Sequence, residues 1–302
     1  PCIACLQGCV ANMYAGNPVC CLTNPFLGHE AEPLEKAENP KKVMVIGGGV
    51  AGLSAAFIAK ERGHEVTLYE AGDVLGGNMR LAAYPPGKGD ITNMIRSYIH
   101  RCQKDGVKIV MNCEVTPEII KEEKPDSVII ATGSKTLILP IEGIDNPAII
   151  HGSDLLDGKR AAGKKVLVVG GGMVGCETAA FLGEQEHDVT VIEFRDTVGA
   201  DVIHEHRVYL MKDFEDYGIK EITGAKVCKF YEDGVEYETA DGVRHESRGY
   251  DSVILSMGFR NYNPLEEKIK DLVPETHVIG DAIRARRALD ATKEAYEVAS
   301  RI

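Results

Sequence analysis

The 302-residue chain has no tryptophan, and aromatic side chains make up only 6% of it. It also lacks any apolar run approaching the length of a membrane span, which argues against a transmembrane helix. No signal peptide is visible. Positive charge is scarce: 34 Lys and Arg stand against 46 Asp and Glu, a net charge of −12. That balance argues against nucleic acid or an anionic membrane surface as a partner. Cysteine is absent from most of the chain, yet five of the nine cysteines fall within the first 21 residues. Such crowding does not suit a disulfide framework, and a reducing, cytoplasmic setting is expected.

What is present is said twice. Lys41-Lys-Val-Met-Val-Ile-Gly-Gly-Gly-Val-Ala-Gly52 runs on to Glu70, and Lys164-Lys-Val-Leu-Val-Val-Gly-Gly-Gly-Met-Val-Gly175 runs on to Glu193. Residues 41–70 and 164–193 align without a gap at an offset of 123. Each stretch reads as strand, G-x-G-x-x-G turn, helix, strand and terminal acid. The first glycine (Gly47, Gly170) turns the chain out of the strand. The second (Gly49, Gly172) lets the backbone approach a pyrophosphate, and the third (Gly52, Gly175) lets helix and strand pack closely. The N–H groups and dipole of the following helix then receive phosphate. Glu70 and Glu193 sit about 20 residues on, where a carboxylate hydrogen-bonds a ribose 2′-OH. Two such units in one chain imply electron transfer between two dinucleotides.

The second signal is Cys2-x2-Cys5-x3-Cys9, with Cys20 and Cys21 further on. Gly8, Gly16, Asn17, Pro18, Asn24 and Pro25 break this segment, so no long regular element is expected there. Four thiolates in such a loop can hold a [4Fe–4S] cluster. A structural zinc site usually shows two separated Cys-x2-Cys pairs. A Cys2/Cys5 disulfide would leave the others unexplained. Cys102, Cys113, Cys176 and Cys228 read as small apolar residues.

Taken together, Cys2-Ile-Ala-Cys5-Leu-Gln-Gly-Cys9, Cys21-Leu-Thr-Asn-Pro25 and Gly28-His-Glu30, followed at once by a dinucleotide fingerprint, resemble a known family. The match is to the C-terminal half of the NADH:flavin oxidoreductases related to 2,4-dienoyl-CoA reductase, 2-enoate reductase and trimethylamine dehydrogenase. The resemblance spans the whole chain and makes Cys2, Cys5, Cys9 and Cys21 the cluster ligands. It implies that FAD takes the first fingerprint, with Gly47, Gly49, Val50, Ala51, Gly52 and Glu70. Gly76-Gly77-Asn78, Ala131-Thr132-Gly133 and Gly280-Asp281 resemble further flavin motifs, although glutamine is commoner than Asn78. NADH then takes the second, with Gly170, Gly172, Met173, Val174, Gly175, Glu177, Glu193 and Gly258. By the same analogy Glu177 lies near the nicotinamide, against the plainer reading of a solvated first-turn acid. Family members carry an N-terminal TIM barrel with FMN, so a chain opening on Pro1 is expected to have lost that barrel.

The expected fold is α/β: two Rossmann-like dinucleotide domains after a cysteine-rich loop. Residues 1–40 form the cluster segment and linker, 41–157 and 262–302 the FAD domain, and 158–261 an inserted NAD(P)H domain. Within them, helices are expected over 91–104 (Asp90 as N-cap), 173–184, 203–217 and 288–301. Asp233-Gly234 and Asp241-Gly242 should supply the turns of a β-meander. The expected activity is an electron-input module: hydride passes from NADH to FAD, then single electrons through the cluster to the FMN domain, which reduces an activated C=C. Hydride transfer needs no acid or base, so no catalytic side chain is expected. Glu193 favours NADH, since a 2′-phosphate would be repelled, although the adjacent Arg195 could meet one. In the trimethylamine dehydrogenase branch the FAD site holds redox-inert ADP, which is the competing reading. Thioredoxin-reductase-like dithiol chemistry would need a Cys-x-x-Cys in the inserted domain, which holds only Cys176 and Cys228. A homo-oligomer is compatible with the resemblance.

Overall fold

The computed structural model describes all 302 residues. The chain begins with the cysteine loop and a single short helix α1 (Val10–Tyr14). It then lays down β1 (Lys42–Ile46), α2 (Val50–Glu61), β2 (Glu65–Tyr69), α3 (Asn78–Leu81) and α4 (Ile91–Lys104). β3 (Lys108–Val110), α5 (Pro117–Glu123), β4 (Ser127–Ile130) and β5 (Ser134–Thr136) follow. A second series comprises β6 (Ile149–His151), α6 (Gly152–Leu156), β7 (Lys165–Val169), α7 (Met173–Glu184), β8 (Asp188–Ile192), α8 (His204–Asp216) and β9 (Lys220–Ile222). β10 (Lys226–Tyr231), β11 (Gly234–Glu238), β12 (Arg244–Ser247) and β13 (Ser252–Leu255) complete it. The chain returns through β14 (Phe259–Asn261), α9 (Glu266–Ile269) and β15 (Glu275–Val278) to α10 (Ala288–Ala299).

Two compact units result: residues 1–83, 90–135 and 260–302, and residues 84–89 and 136–259. The first holds a parallel sheet of order β15-β4-β1-β2-β3, the second a parallel sheet of order β6-β13-β7-β8-β9. Both centre on the strand that precedes a glycine fingerprint. Val43, Met44, Val45 and Ile46 are all buried, as are Val166 to Val169. Parallel sheets are covered on both faces, so their strands read as unbroken apolar runs rather than alternating ones. In the first unit α10 packs on α2. Its Ala291, Ala295 and Ala299 recur every four residues and are buried against Leu53, Ala56 and Phe57 in one cluster. The second unit carries the expected meander, β10-β11-β12, antiparallel throughout.

Three local expectations change. Asp90 does precede α4, but its backbone is already helical and its side chain caps no N–H. It accepts from the Asn93 side chain instead. The β10–β11 turn is Glu232-Asp233, because Gly234 pairs with Tyr231 inside the ladder. Gly234 is buried there, and a Cβ would collide with the Ser247 carbonyl. After a first visit at residues 84–89, the chain enters the second unit at Thr136 and leaves at Phe259, where the sequence suggested 158 and 261. The cause is β6, whose three residues add to the sheet edge along β13.

Candidate dinucleotide-binding sites and cysteine loop

In the first unit the chain leaves β1 at Gly47, whose N–H donates to Tyr69 O at 2.8 Å. Gly48 N–H donates to Glu70 Oε2 and Gly72 N–H to Glu70 Oε1, each at 2.7 Å. Glu70 thus brackets the fingerprint turn and the loop after β2 with one carboxylate. Gly76 N–H then reaches back to Gly48 O at 2.8 Å. Val50 and Ala51 open α2 with their side chains buried. A Cβ on Gly52 would fall on the Gly47 carbonyl oxygen, so helix and strand touch at backbone distance.

The second unit repeats this bond for bond. Gly170 N–H donates to Ile192 O at 2.9 Å. Gly171 N–H donates to Glu193 Oε2 at 2.6 Å and Arg195 N–H to Glu193 Oε1 at 2.9 Å. Gly199 N–H reaches Gly171 O at 2.7 Å. A Cβ on Gly175 would fall on Gly170 O. Gly49 and Gly172 are the N-caps of α2 and α7, both in extended conformation. Gly76 and Gly199 stand at the same offset as the two fingerprints, so the repeat does not stop at Glu193 but runs on through the following loop. Extending the alignment past Glu193 would have disclosed it, and would have paired Asn78 with Asp201.

Glu193 is buried and has backbone bonds at both oxygens. A ribose 2′-OH can share those lone pairs, whereas a 2′-phosphate would meet a fixed negative charge. Glu193→Ala is therefore expected to raise the NADPH/NADH ratio of kcat/KM roughly tenfold, the scale of one lost charge repulsion. Steady-state kinetics with both coenzymes checks this, and an unmoved ratio removes Glu193 as the selector.

The other residues that the resemblance assigns to flavin all lie in the first unit. Asp281 lies in a 3₁₀ turn with Gly280. Its Oδ2 accepts from Ser134 Oγ at 2.9 Å and its Oδ1 from Arg286 N–H at 3.0 Å. Asn78 Nδ2 donates to the same Ser134 Oγ at 3.3 Å. Asn78, Ser134 and Asp281 thus form one polar chain, with Gly76 and Gly77 just before it. Ala131 and Thr132 follow β4, and Thr132 Oγ1 donates to Tyr262 O at 2.5 Å. Gly133 after β4 and Gly258 after β13 hold equivalent places. Both have positive φ, and no atom lies within 4 Å of where a Cβ would stand, which leaves the backbone open to a flat ligand.

In the second unit Met173 and Val174 open α7. Glu177, one turn on, is not a solvated acid. It is 8% exposed and ion-paired to Lys88. Burying a carboxylate alone would be strongly unfavourable, so Lys88 is what allows it to sit there. Sequence reasoning missed Lys88, since 89 residues separate the pair. Cys176 is fully buried, and burial pushes its thiol up to about 12. It is therefore an inert core residue, which removes the dithiol reading.

The cysteine loop is anchored in the first unit. Ile3 and Leu22 are buried in the α2–α4–α10 core. Tyr98 on α4 donates its hydroxyl to Leu22 O at 2.8 Å. Phe26 packs edge-on to Tyr296 at 5.6 Å, and Arg101 lies over its ring at 4.8 Å. Within the loop, Ala4 and Leu6 take left-handed φ values of 51° and 54°, uncommon for residues with a Cβ. Ala4 N–H donates to Cys2 Sγ at 3.3 Å. Burial pushes the Cys5 thiol up, and Cys21, Cys9 and Cys2 add to the effect as neighbours. Cys20 instead accepts from Asn12 Nδ2 at 3.4 Å. As the side chains stand, no three His, Cys, Asp or Glu residues form a group that could hold a metal ion.

Residues 41–279 match the pyridine nucleotide-disulphide oxidoreductase family. The chain belongs to that family. It carries the family's FAD and NAD(H) domains, and related proteins cover its whole length. Cinnamate reductase of Clostridium sporogenes is 34% identical over 306 residues, covering 100% of this chain and 45% of that protein. Metal reductase of Desulforamulus reducens is 32% identical over 333 residues, covering 99% and 50%. A 2-naphthoyl-CoA reductase complexed with 2-naphthoyl-CoA superposes with a TM-score of 0.94 at 33% identity, covering 100% of this chain and 46% of that one. The chain spans about half the length of the curated relatives it matches. Thioredoxin reductase of T. acidophilum, 20% identical with a TM-score of 0.65, shares the fold. No helix is long and apolar enough to cross a membrane.

Proposed function

We propose that this chain is the electron-input module of a larger flavin reductase. FAD occupies the first fingerprint, NADH the second and a [4Fe–4S] cluster the cysteine loop. The observation that carries the reading is the doubled cradle: the same glycine turn, acid bracket and return loop, built twice in one chain. When bound, NADH supplies a hydride, FAD accepts the pair of electrons, and the cluster passes them on singly. The chain's own residues bind and orient. Glu70 and Glu193 hold the turns and meet the ribose hydroxyls. The first turns of α2 and α7 present N–H groups to pyrophosphate. Asp281, fixed by Ser134 and Arg286, would hold the flavin's ribityl hydroxyls, and the Glu177–Lys88 pair would serve the nicotinamide end of the coenzyme.

Three features support the cluster. Cys21, Cys9 and Cys2 all bear on Cys5. Ala4 and Leu6, on either side of Cys5, take left-handed backbone that residues with a Cβ rarely adopt. An N–H···S bond at Cys2 is of the kind that tunes such centres. By the resemblance Cys21, beside Thr23 Oγ1 at 3.3 Å, would be the fourth ligand, and Cys20, which accepts from Asn12, would not. The cluster's acceptor is an FMN-bearing barrel in the rest of the protein. The relatives named for cinnamate and for 2-naphthoyl-CoA fit a conjugated acid or its CoA thioester as the final substrate.

The test is an anaerobic absorbance titration of the purified chain with NADH, with iron and sulfide assayed on the same sample. The expected result is flavin bleaching with about four irons per chain. A colourless first site holding ADP, or no response to NADH, would sink the relay and leave a structural nucleotide-binding module.

A further inference from the structure

We propose that Asp201 is a resident carboxylate at the pyrophosphate position of the second unit, and that an incoming dinucleotide must displace it. The inference rests on the reading of the α7 fingerprint as the NADH site. Met173 is the first residue of α7, and its N–H has no acceptor within the helix. Asp201 Oδ1 accepts from it at 2.9 Å. The same carboxylate lies over the second fingerprint glycine: a Cβ on Gly172 would stand 3.5 and 3.6 Å from its two oxygens. That glycine and that N–H are where a phosphate must come. An anionic side chain therefore already sits in the anion's place.

The first unit shows that the scaffold does not require this. Asn78 stands at the equivalent position, 123 residues earlier, on a loop returned by the equivalent bond, Gly76 N–H to Gly48 O. It is uncharged and turns to Ser134 Oγ instead. The two cradles agree at the strand, glycines, acid and return loop, and differ in charge at this one contact. The difference matches their duties. A flavin stays bound, whereas a hydride donor must leave after each turnover. Asp201 is exposed on the loop ahead of α8, so it can swing aside without unpacking the core. Two like charges cannot share one helix start, so its return favours release of the oxidised coenzyme.

The experiment measures binding of NADH, ADP-ribose and adenosine to the purified FAD-loaded chain, with wild type, Asp201→Asn and Asp201→Ala. Asparagine keeps an acceptor for Met173 N–H but removes the charge, and alanine leaves the N–H open. Both variants are expected to bind NADH and ADP-ribose ~10-fold more tightly, as for removal of one screened like-charge contact, with slower dissociation in stopped flow. Adenosine, which carries no phosphate, should bind as in wild type. Unchanged or weaker binding of the two pyrophosphates overturns the inference, as does an equal gain for adenosine. Failure of wild type and variants alike to bind either pyrophosphate overturns instead the assignment of the site.

Discussion

Gly175→Ala is expected to weaken NADH binding roughly 100-fold, and with it flavin reduction by NADH, while leaving FAD bound. The added methyl would coincide with the Gly170 carbonyl oxygen, backbone that no rotamer change can move. α7 must then shift away from β7, and its first turn carries the N–H groups that receive pyrophosphate. Overpacking of this kind costs about 1–3 kcal/mol. All of it falls on the geometry of the anion site, so binding should weaken roughly 100-fold, at 1.4 kcal/mol per decade. The first unit has its own sheet and core, so flavin content should hold. Gly52→Ala is the mirror control: the same collision with Gly47 O should cost flavin instead. Coenzyme titration and flavin absorbance of the two variants read the outcome. If Gly175→Ala loses flavin and keeps NADH, the assignment of the two cradles is reversed.

Cys5→Ser is expected to reduce iron from about four per chain to well below one, with NADH still bleaching the flavin. Cys5 lies in the chain between the buried anchors Ile3 and Leu22, flanked by the left-handed residues Ala4 and Leu6. A serine hydroxyl fits that space but does not ionise to a soft ligand near neutral pH. Cys20→Ser, placed on the neighbour held by Asn12, should keep its iron. The pair of variants thus reads the ligand set directly from an iron and sulfide assay. Equal iron in both would remove Cys5 from the cluster, and iron lost from both would bring Cys20 into it.

The repeat was legible in sequence because glycine at a close backbone approach cannot be replaced, so the spacing survives while neighbours change. α4 was legible because burial of one face imposes a period, at Ile91, Met94, Ile95, Tyr98 and Cys102, whereas the central strands were legible as unbroken apolar runs and α7 by the glycine turn before it. What escaped notice depended on contacts between distant residues or on very short elements. Lys88 has nothing near it in sequence to mark it as a partner of Glu177. β6 is three residues long and reads as linker until β13 pairs with it. Ser134 gains its role only when Asn78 and Asp281 arrive on either side of it. The choice of Cys21 over Cys20 rested on resemblance, since adjacent cysteines differ only in which way the loop turns each.

The bracket formed by Glu193 bears on how coenzyme preference can drift over generations. The residue proposed to read the ribose also ties Gly171 to Arg195 through its two oxygens. A substitution that relaxes selectivity at Glu193 loosens the turn in the same step. Lineages moving toward the phosphorylated coenzyme are thereby steered to change the surroundings first. Arg195, whose backbone is held while its side chain lies exposed, is the nearest place for such a change to begin.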